Sequence, residues 1–436
     1  MNTTEVDHIK NILLVEDDLM FAKLTIDKLE GELDSTVVWT KTLDETIQLL
    51  YAEDSNKYFV AVLDFVLPDA ADGEIIDIVR KKDIPSIVFT SNINPKIRKF
   101  VWSKKVVDYI LKDDTNSLNY LVSAVKKLLS NRYKKILLVD DSSFFRKAIS
   151  ELLDVQQYQL MVTTNAKQAL DILNQHPDIK LVITDYNMPV MNGCQLCKTI
   201  RESHSKEDLA IIGISSEGDE TMAARFIKSG ANDFIIKQSF IREEFYCRVD
   251  QSIENIELIN QIKLSAIKDF LTGLYNRRYF FEEGKRMIRS ASENNRHLCC
   301  AILDIDYFKY FNDTFGHDVG DLLLKKLAEV LKSFINEDSL VARLGGEEFC
   351  MLIPSSYKKT VDSFESFKAY IEEQLNILRK SIRNTKIKLD DNQELAVTVS
   401  IGASFNTNTD FSEMLKTADE KLYSSKNNGR NKVTLA

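Results

Sequence analysis

The sequence predicts three α/β domains in a row, the first two built on doubly wound parallel sheets. Three observations carry this expectation. The chain has 436 residues, too many for one core and suited to three of ordinary size. Four short apolar runs, each ending in a residue able to do chemistry, occur twice in the same order. The last third mixes apolar runs (CCAILDI, FCMLI, AVTVSIGAS) with amphipathic stretches around a Gly-Gly pair, so it is α/β of another kind.

The repeated runs align element by element. Asn11 to Val15 passes into Glu16-Asp17-Asp18, and Lys135 to Val139 passes into Asp140-Asp141. The second run ends in a lone acid, Asp64 in one copy and Asp185 in the other. The third ends in hydroxyls, Thr90-Ser91 and Ser215-Ser216. The fourth ends in a lysine, Lys112 and Lys237. Helix-like stretches lie between, so each copy reads as a sheet buried on both faces. Ligands of such sheets sit at the carboxyl ends of the strands, where all these residues fall. One acid at a strand end marks only a loop. Four matched chemical types in the same order, twice, mark a site.

After Lys237 neither Gly nor Pro occurs until Gly273. Val249, Ile253, Ile256, Ile259 and Ile262 recur there at roughly helical spacing. The last helix of the second domain therefore continues into a connector. Its apolar stripe either pairs with a second chain as a coiled coil or packs on its own domain. The expected divisions are 8–130, 134–250, a helical connector 251–267, and 268–436.

Composition excludes several classes. Apolar residues make up 44%, enough for three cores, and Gly (14) and Pro (6) are too scarce for disordered linkers. A formal charge of -9 argues against a nucleic-acid surface, yet leaves nucleotide substrates open. No apolar run is long enough to span a membrane, and the N-terminal MNTTEVDHIK is polar and unlike a signal peptide. Six scattered cysteines fit a reducing cytoplasm. Cys194 and Cys197 open a predicted helix without a second pair nearby, and read as helix packing.

An Asp carboxylate is a weak nucleophile toward phosphorus and needs a divalent cation. Mg2+ prefers carboxylates and water. An acidic pair on one strand, a lone Asp on the next, a hydroxyl and a lysine supply such a site. This constellation resembles the response-regulator receiver family, which implies a flavodoxin-like fold and phosphate taken from a histidine kinase or phosphotransfer protein. The resemblance makes Asp185 the phosphoacceptor, with Asp140, Asp141, Asp185 and Asn187 around Mg2+, Ser215 as switch hydroxyl and Lys237 as cation. In the first copy it points to Glu16, Asp17 and Asp64, with Thr90 and Lys112. That copy departs from the pattern. Its loop DFVLPDAADG (Asp64 to Gly73) is one residue longer than DYNMPVMNG (Asp185 to Gly193), and Val66 replaces the family's usual polar residue. Asp113 and Gln238 stand where the family usually has Pro. Asp64 is thus either a second phosphoacceptor or part of a degenerate receiver kept for dimerisation or as an adaptor.

In the last domain, Gly345-Gly346 between two strands reads as a tight turn that lets a ligand approach. Glu347 and Glu348 follow at once, and Asp304 ends the strand CCAILD. On adjacent strands these acids could converge on one or two Mg2+, an arrangement suited to phosphoryl transfer. DFLTGLYNRR, LDIDYFKYFNDTFGHDVGD, RLGGEEF, VSIGAS and LYSSKNNGRNKV together resemble GGDEF diguanylate cyclases from residue 268 to the last. The resemblance implies a nucleotidyl-cyclase-like domain with a ferredoxin-like core that joins two GTP into cyclic di-GMP and pyrophosphate. It implies metal binding by Asp304, the backbone carbonyl of Ile305, Glu347 and Glu348, with Glu347 as proton acceptor. Lys309 would stabilise transition-state charge, and Asn312 and Asp321 would bind the guanine edge. Lys426 and Arg430 would hold terminal phosphates, with Phe308 and His317 beside the substrate. A symmetric product from one site per chain requires a C2 homodimer. Many relatives carry an Arg-x-x-Asp product site before the turn, where this chain has Asn336 and Ser339. The alternative expectation is a catalytically silent nucleotide sensor or scaffold.

Overall fold

The computed structural model describes residues 11–52, 58–91, 95–113, 115–216, 220–237, 241–336, 338–355, 363–388, 394–406 and 410–436. Residues 8–10 of the first expected domain, the polar N-terminal segment and Gln238 lie outside the described residues. The chain divides into two compact units, Met1–Ile259 and Asn260–Ala436.

The first unit holds two successive α/β halves. One comprises β1 (Asn11–Val15), α1 (Leu19–Glu32), β2 (Thr36–Thr40), α2 (Leu43–Tyr51), β3 (Tyr58–Leu63), α3 (Glu74–Arg80), β4 (Ser86–Thr90), α4 (Pro95–Ser103), β5 (Asp108–Leu111) and α5 (Thr115–Asn131). The other comprises β6 (Lys135–Val139), α6 (Ser143–Val155), β7 (Gln159–Thr163), α7 (Ala166–Gln175), β8 (Ile179–Asp185), α8 (Gly193–Arg201), β9 (Ala210–Ser215), α9 (Glu220–Lys228), β10 (Asp233–Ile236) and α10 (Arg242–Ile267). Each half forms a five-stranded sheet, β2-β1-β3-β4-β5 and β10-β9-β8-β6-β7. All pairings within both sheets are parallel. The order is the same in both, with the first strand between the second and the third. Ile12 to Val15 and Ile136 to Val139 are essentially inaccessible, as apolar runs must be when helices cover both faces.

The two halves share a core. One buried apolar cluster runs from Leu13 and Leu63 through Trp102 and Val106 to Phe245, Tyr246 and Ile183. Trp102 of α4 lies with its ring centroid 5.7 Å from Tyr109 and 6.0 Å from Tyr246 of α10. Polar contacts frame it. Arg98 donates to Glu243 at 2.6 Å, Arg242 donates to the Trp102 carbonyl, and Gln156 donates to the Val107 carbonyl at 2.8 Å. Asp250 takes Lys127 and, at 2.9 Å, the Tyr158 hydroxyl.

The connector helix is neither wholly free nor wholly packed. Val249, Ile253 and Ile256 are buried in the first unit's core, whereas Ile262 is 58% exposed and Leu258 and Leu264 are exposed beside it. Packing on its own unit thus accounts for the first three positions of the expected stripe and not for the last. Cys197 of α8 is buried and its thiol is pushed up to about 12 by burial, as expected for a packing residue. Among the described residues no helix is long and apolar enough to cross a membrane.

The second unit contains β11 (Tyr275–Asn276), α11 (Arg277–Glu293), β12 (Leu298–Ile305), α12 (Phe308–Phe315), α13 (His317–Phe334), β13 (Leu340–Gly345), β14 (Glu348–Pro354), α14 (Phe364–Asn384), β15 (Ile387–Lys388), β16 (Glu394–Leu395), β17 (Val399–Phe405), α15 (Phe411–Asn427) and β18 (Val433–Leu435). Its sheet runs β11-β13-β14-β12-β17-β18, with β12 antiparallel to both β14 and β17. Helices α13 and α14 pack on one face through Leu327, Leu331, Ile371 and Leu375. Helices α11 and α15 cover the other through Phe280, Phe411, Ala418 and Leu422. At Gly402 of β17 a Cβ would stand 2.0 Å from the Leu422 nitrogen, so only glycine lets α15 lie this close.

The shared core makes the two halves of the first unit interdependent. Trp102→Ala should lower the unfolding free energy of this unit by about 3 kcal/mol. Urea unfolding, with β-sheet signal and Tyr fluorescence followed together, would show it as one shifted transition rather than as two separated ones.

Candidate functional site

Three sets of carboxylates sit at strand ends. The first half gathers Glu16, Asp17 and Asp64, and the second gathers Asp140, Asp141 and Asp185. Within each set the carboxylate oxygens lie within 4.8 Å of one another, two residues being buried and the middle one exposed. Parallel pairing brings this about. Val15 lies beside Leu63 and Val139 beside Thr184, so the residues that follow emerge side by side at one edge. A lysine neutralises each cluster. Lys112 donates at 2.5 Å to Glu16 and at 2.5 Å to Asp64. Lys237 lies 2.8 Å from Asp140 and 3.0 Å from Asp185. The Asp185 Oδ1 that faces Lys237 is buried and makes no aligned hydrogen bond. Burial raises the Asp185 carboxyl above its usual range, against the pull of Lys237. Burial likewise raises Glu16 to about 7, against Lys112. Thr90 and Ser215, the expected hydroxyls, are both buried at the ends of β4 and β9. Three clustered carboxylates are the donor set of a hard divalent cation, so the residues present fit Mg2+.

The longer loop of the first half leaves this geometry intact. Leu67 and Ala70 exchange backbone hydrogen bonds of 2.9 and 3.1 Å, which closes Pro68-Asp69 into a tight turn. The turn throws Asp69 outward, where its carboxylate accepts from the Leu43 and Asp44 amides at 2.9 and 3.0 Å and caps α2. Val66 keeps its amide on Asp64 at 3.2 Å, and its side chain is exposed. In the second half Gly193 packs on the Asp185 carbonyl, where a Cβ would come within 2.3 Å. Asn187 belongs to this loop, two residues beyond Asp185.

The third set is arranged differently. Asp304 is buried at the end of β12, directly across from Glu348 on β14 and from Ser400 on β17. Gly345 and Gly346, at φ +148° and +51°, turn the chain between β13 and β14. Lys426 of α15 reaches Asp304 at 2.8 Å. Burial raises the Asp304 carboxyl to about 6, with Lys426 opposing and Glu347 and Glu348 adding to the rise. Asp304, Glu347 and Glu348 are not drawn together as tightly as the other two clusters. Glu348 is exposed, and the cation near Asp304 is a lysine. Two acids, Glu347 and Glu348, beside one buried, raised carboxylate still leave excess negative charge for a metal. Ile305 buries its side chain in the core, so only its backbone is available to a ligand.

The expected substrate residues fall on α12, α13 and the chain end. Phe308 is buried, while Lys309, His317 and Asp321 are exposed. The side-chain oxygen of Asn312 is buried and has no hydrogen-bond partner. It abuts Gly320, where a Cβ would come within 1.9 Å. Arg430 lies with its guanidinium 4.4 Å from the centre of the Tyr307 ring.

Sequence reasoning missed two supports. Asp306, buried, accepts from the Thr398 and Ser400 hydroxyls at 2.6 Å each and from the Asn431 amide at 3.0 Å. It ties β12 to β17 and to the segment carrying Arg430. The alternation in LDID could have flagged it, because Asp304 and Asp306 share one face. Arg343 donates to the Gly346 carbonyl at 2.9 and 2.8 Å and to Asp269 at 3.2 Å. It thus fastens the Gly-Gly turn to the DFLTG segment. No local pattern in the sequence pairs these two residues.

Five-stranded parallel sheets of this order, with acids, hydroxyl and lysine at one edge, define the receiver fold, and the second unit is the α/β fold of a GGDEF domain. The response regulator receiver domain model matches residues 136–246, and the model described as diguanylate cyclase, GGDEF domain matches 266–432. The chain is 26% identical over 349 residues to the response regulator PleD of Caulobacter vibrioides, covering 78% of this chain and 74% of PleD. It is 29% identical over 240 residues to the diguanylate cyclase DosC of Escherichia coli (strain K12), covering 53% of this chain and 50% of DosC. A solved two-component system response regulator/GGDEF domain protein aligns with 35% identity and a TM-score of 0.50, covering 57% of this chain and 99% of that one. The chain belongs to the response regulators that carry a GGDEF domain.

Asp306 is a test of how this edge is held. Asp306→Ala strands three buried or half-buried donors and should cost about 3 kcal/mol of stability in the second unit. Thermal unfolding measures it, and a melting point equal to that of the unchanged protein would remove the role assigned to this residue.

Proposed function

We propose that the chain is a phosphorylation-regulated response regulator that condenses two GTP into cyclic di-GMP, releasing pyrophosphate, as a homodimer. In this reading residues 8–130 and 134–250 are two receivers, 251–267 the connector and 268–436 the cyclase. The observation that carries the cyclase is Asp304, buried and raised to about 6, facing the Glu348 end of the Gly-Gly turn. Mg2+ held there by Asp304, the Ile305 carbonyl, Glu347 and Glu348 would neutralise the triphosphate. Glu347 would take the proton from the attacking 3′-hydroxyl, and Lys309 would stabilise developing charge. Asn312, whose buried side-chain oxygen lacks a partner, would accept from the guanine edge, with Asp321 beside it. Lys426 would leave Asp304 for the terminal phosphates, joined by Arg430, while Phe308 and His317 border the base. Because the product has two equivalent bonds, two such domains must meet across a two-fold axis.

The receivers support control of this step. Asp185 would carry the phosphoryl group, Asp140, Asp141 and the Asn187 backbone would hold its Mg2+, and Ser215 and Lys237 would bind its oxygens. In the first half the same parts are Glu16, Asp17, Asp64, Thr90 and Lys112, and the compact arrangement of its three acids favours a working site over a degenerate one. A histidine kinase or phosphotransfer protein would be the donor, and the cytoplasm the setting.

Purified protein given GTP and Mg2+ should form cyclic di-GMP, and beryllofluoride should raise the rate. Asp185→Asn should remove most of that response, and Glu347→Gln should cut turnover at least about 100-fold. No product under either condition would favour a silent nucleotide sensor.

Product inhibition should be weak. Asn336 and Ser339 bond to one another at 2.7 Å and offer no guanidinium fork to a product phosphate. A sub-micromolar inhibition constant that Asn336→Ala abolishes would overturn this.

A further inference from the structure

We infer that Phe145, and Phe21 in the first half, are positioning residues that hold the phosphoryl-binding lysine by presenting a ring face to its ammonium group. The inference rests on the phosphotransfer reading above. Lys237 Nζ stands 4.2 Å from the centre of the Phe145 ring, and Lys112 Nζ stands 4.9 Å from that of Phe21. Both rings occupy the third position of the helix that follows the acidic pair. Both backbones are fixed alike: the Phe21 amide donates to the Asp18 side chain at 2.8 Å, and the Phe145 amide to Ser142 at 3.5 Å. The residues between differ completely, Leu19-Met20 in one half and Ser143-Phe144 in the other. The ring is therefore common to the two sites although its neighbours are not.

The chemistry gives the ring a task. An ammonium group has three N–H donors. In each half two sides of the lysine face carboxylates, Asp140 and Asp185 or Glu16 and Asp64. The ring closes a third side, with Phe89 a more distant second ring 5.8 Å from Lys112, and the side chains of Lys237 and Lys112 are only 4% and 7% exposed. A cation over an aromatic face in a dry setting is held more firmly than one beside an aliphatic chain. The lysine is thereby aimed at the place where phosphoryl oxygens gain charge during transfer, without reorganisation at that moment. With acetyl phosphate as donor, an Asp185 carboxylate oxygen bonds to phosphorus as the bond from phosphorus to the acetate oxygen breaks. Acetate departs with the electron pair, and the lysine stays protonated throughout.

The test uses the full chain with Mg2+. Phosphoryl uptake at Asp185 from acetyl phosphate and binding of beryllofluoride would be measured for the unchanged protein, Phe145→Leu and Phe145→Tyr. Leu keeps an apolar side chain and loses the ring, so uptake should slow about tenfold and beryllofluoride bind correspondingly more weakly. Tyr keeps the ring and should behave as the unchanged protein, with both variants melting within a few degrees of it. Equal uptake by Leu and Tyr variants would overturn the ring's role. Phe21→Leu, which leaves Asp185 untouched, should give the same loss at Asp64 and none at Asp185. Failure of the unchanged protein to take up phosphate or beryllofluoride at all would instead sink the phosphotransfer reading, and the inference with it.

Discussion

A carboxylate buried at the end of a strand must be neutralised, and this constraint organises all three sites. An isolated buried charge is too costly to keep, so each acid is met by a lysine brought from elsewhere in the chain. Lys112 reaches Glu16 across 96 residues of sequence, and Lys237 reaches Asp140 across 97. Lys426 of α15 does the same for Asp304. These pairs require the sheet edges to close in one register, since a shift of one residue would turn each acid to the other face. The apolar runs supply the driving force, and the ion clusters fix which edge is functional.

The same rule separates the two clusters of the first unit from the carboxylates of the GGDEF domain. In the parallel sheets neighbouring strands end at one edge and point the same way, so three acids crowd together. In the mixed sheet β12 and β14 run in opposite directions, so Asp304 meets the start of β14 rather than its end. Glu348 then projects from a turn toward solvent. The carboxylates of this domain are spread, and Lys426 lies against the buried one. A spread site held by a turn depends more on its supports, which is why Arg343 on the Gly346 carbonyl and Asp306 beneath the β12 end matter to it.

Much of this was legible in the sequence because strand ends are. Ile12 to Val15 and Leu181 to Asp185 announce buried strands by composition and stop at residues no core would accept unpaired. The identity of the clustered acids followed from the repetition. What escaped was set by tertiary geometry. The extra residue in the first loop looked able to reshape the site, yet the Leu67–Ala70 turn absorbs it and sends Asp69 to cap α2. The stripe from Val249 to Ile262 looked uniform, but burial ends after Ile256 where the first unit's surface ends. Asp306 left only the alternation in LDID as a sign, and Arg343 left none, because their partners lie 92 and 74 residues away. Nothing in the sequence tied Trp102 to Tyr246, and so nothing disclosed that the two halves share a core.

That shared core bears on how the chain can change over generations. The first half is free to change its cluster of acids, because Asp64 or Thr90 can drift without exposing apolar surface. It is not free to vanish. Removing the first half would bare Tyr246, which packs on Trp102, and a side chain of that size is worth about 1.5–3 kcal/mol when hidden from water. Selection on folding alone would therefore keep the first copy in the gene long after selection on signalling had released it. A decayed site in a descendant of this chain would record a change of input, while the surrounding scaffold stayed as it is here.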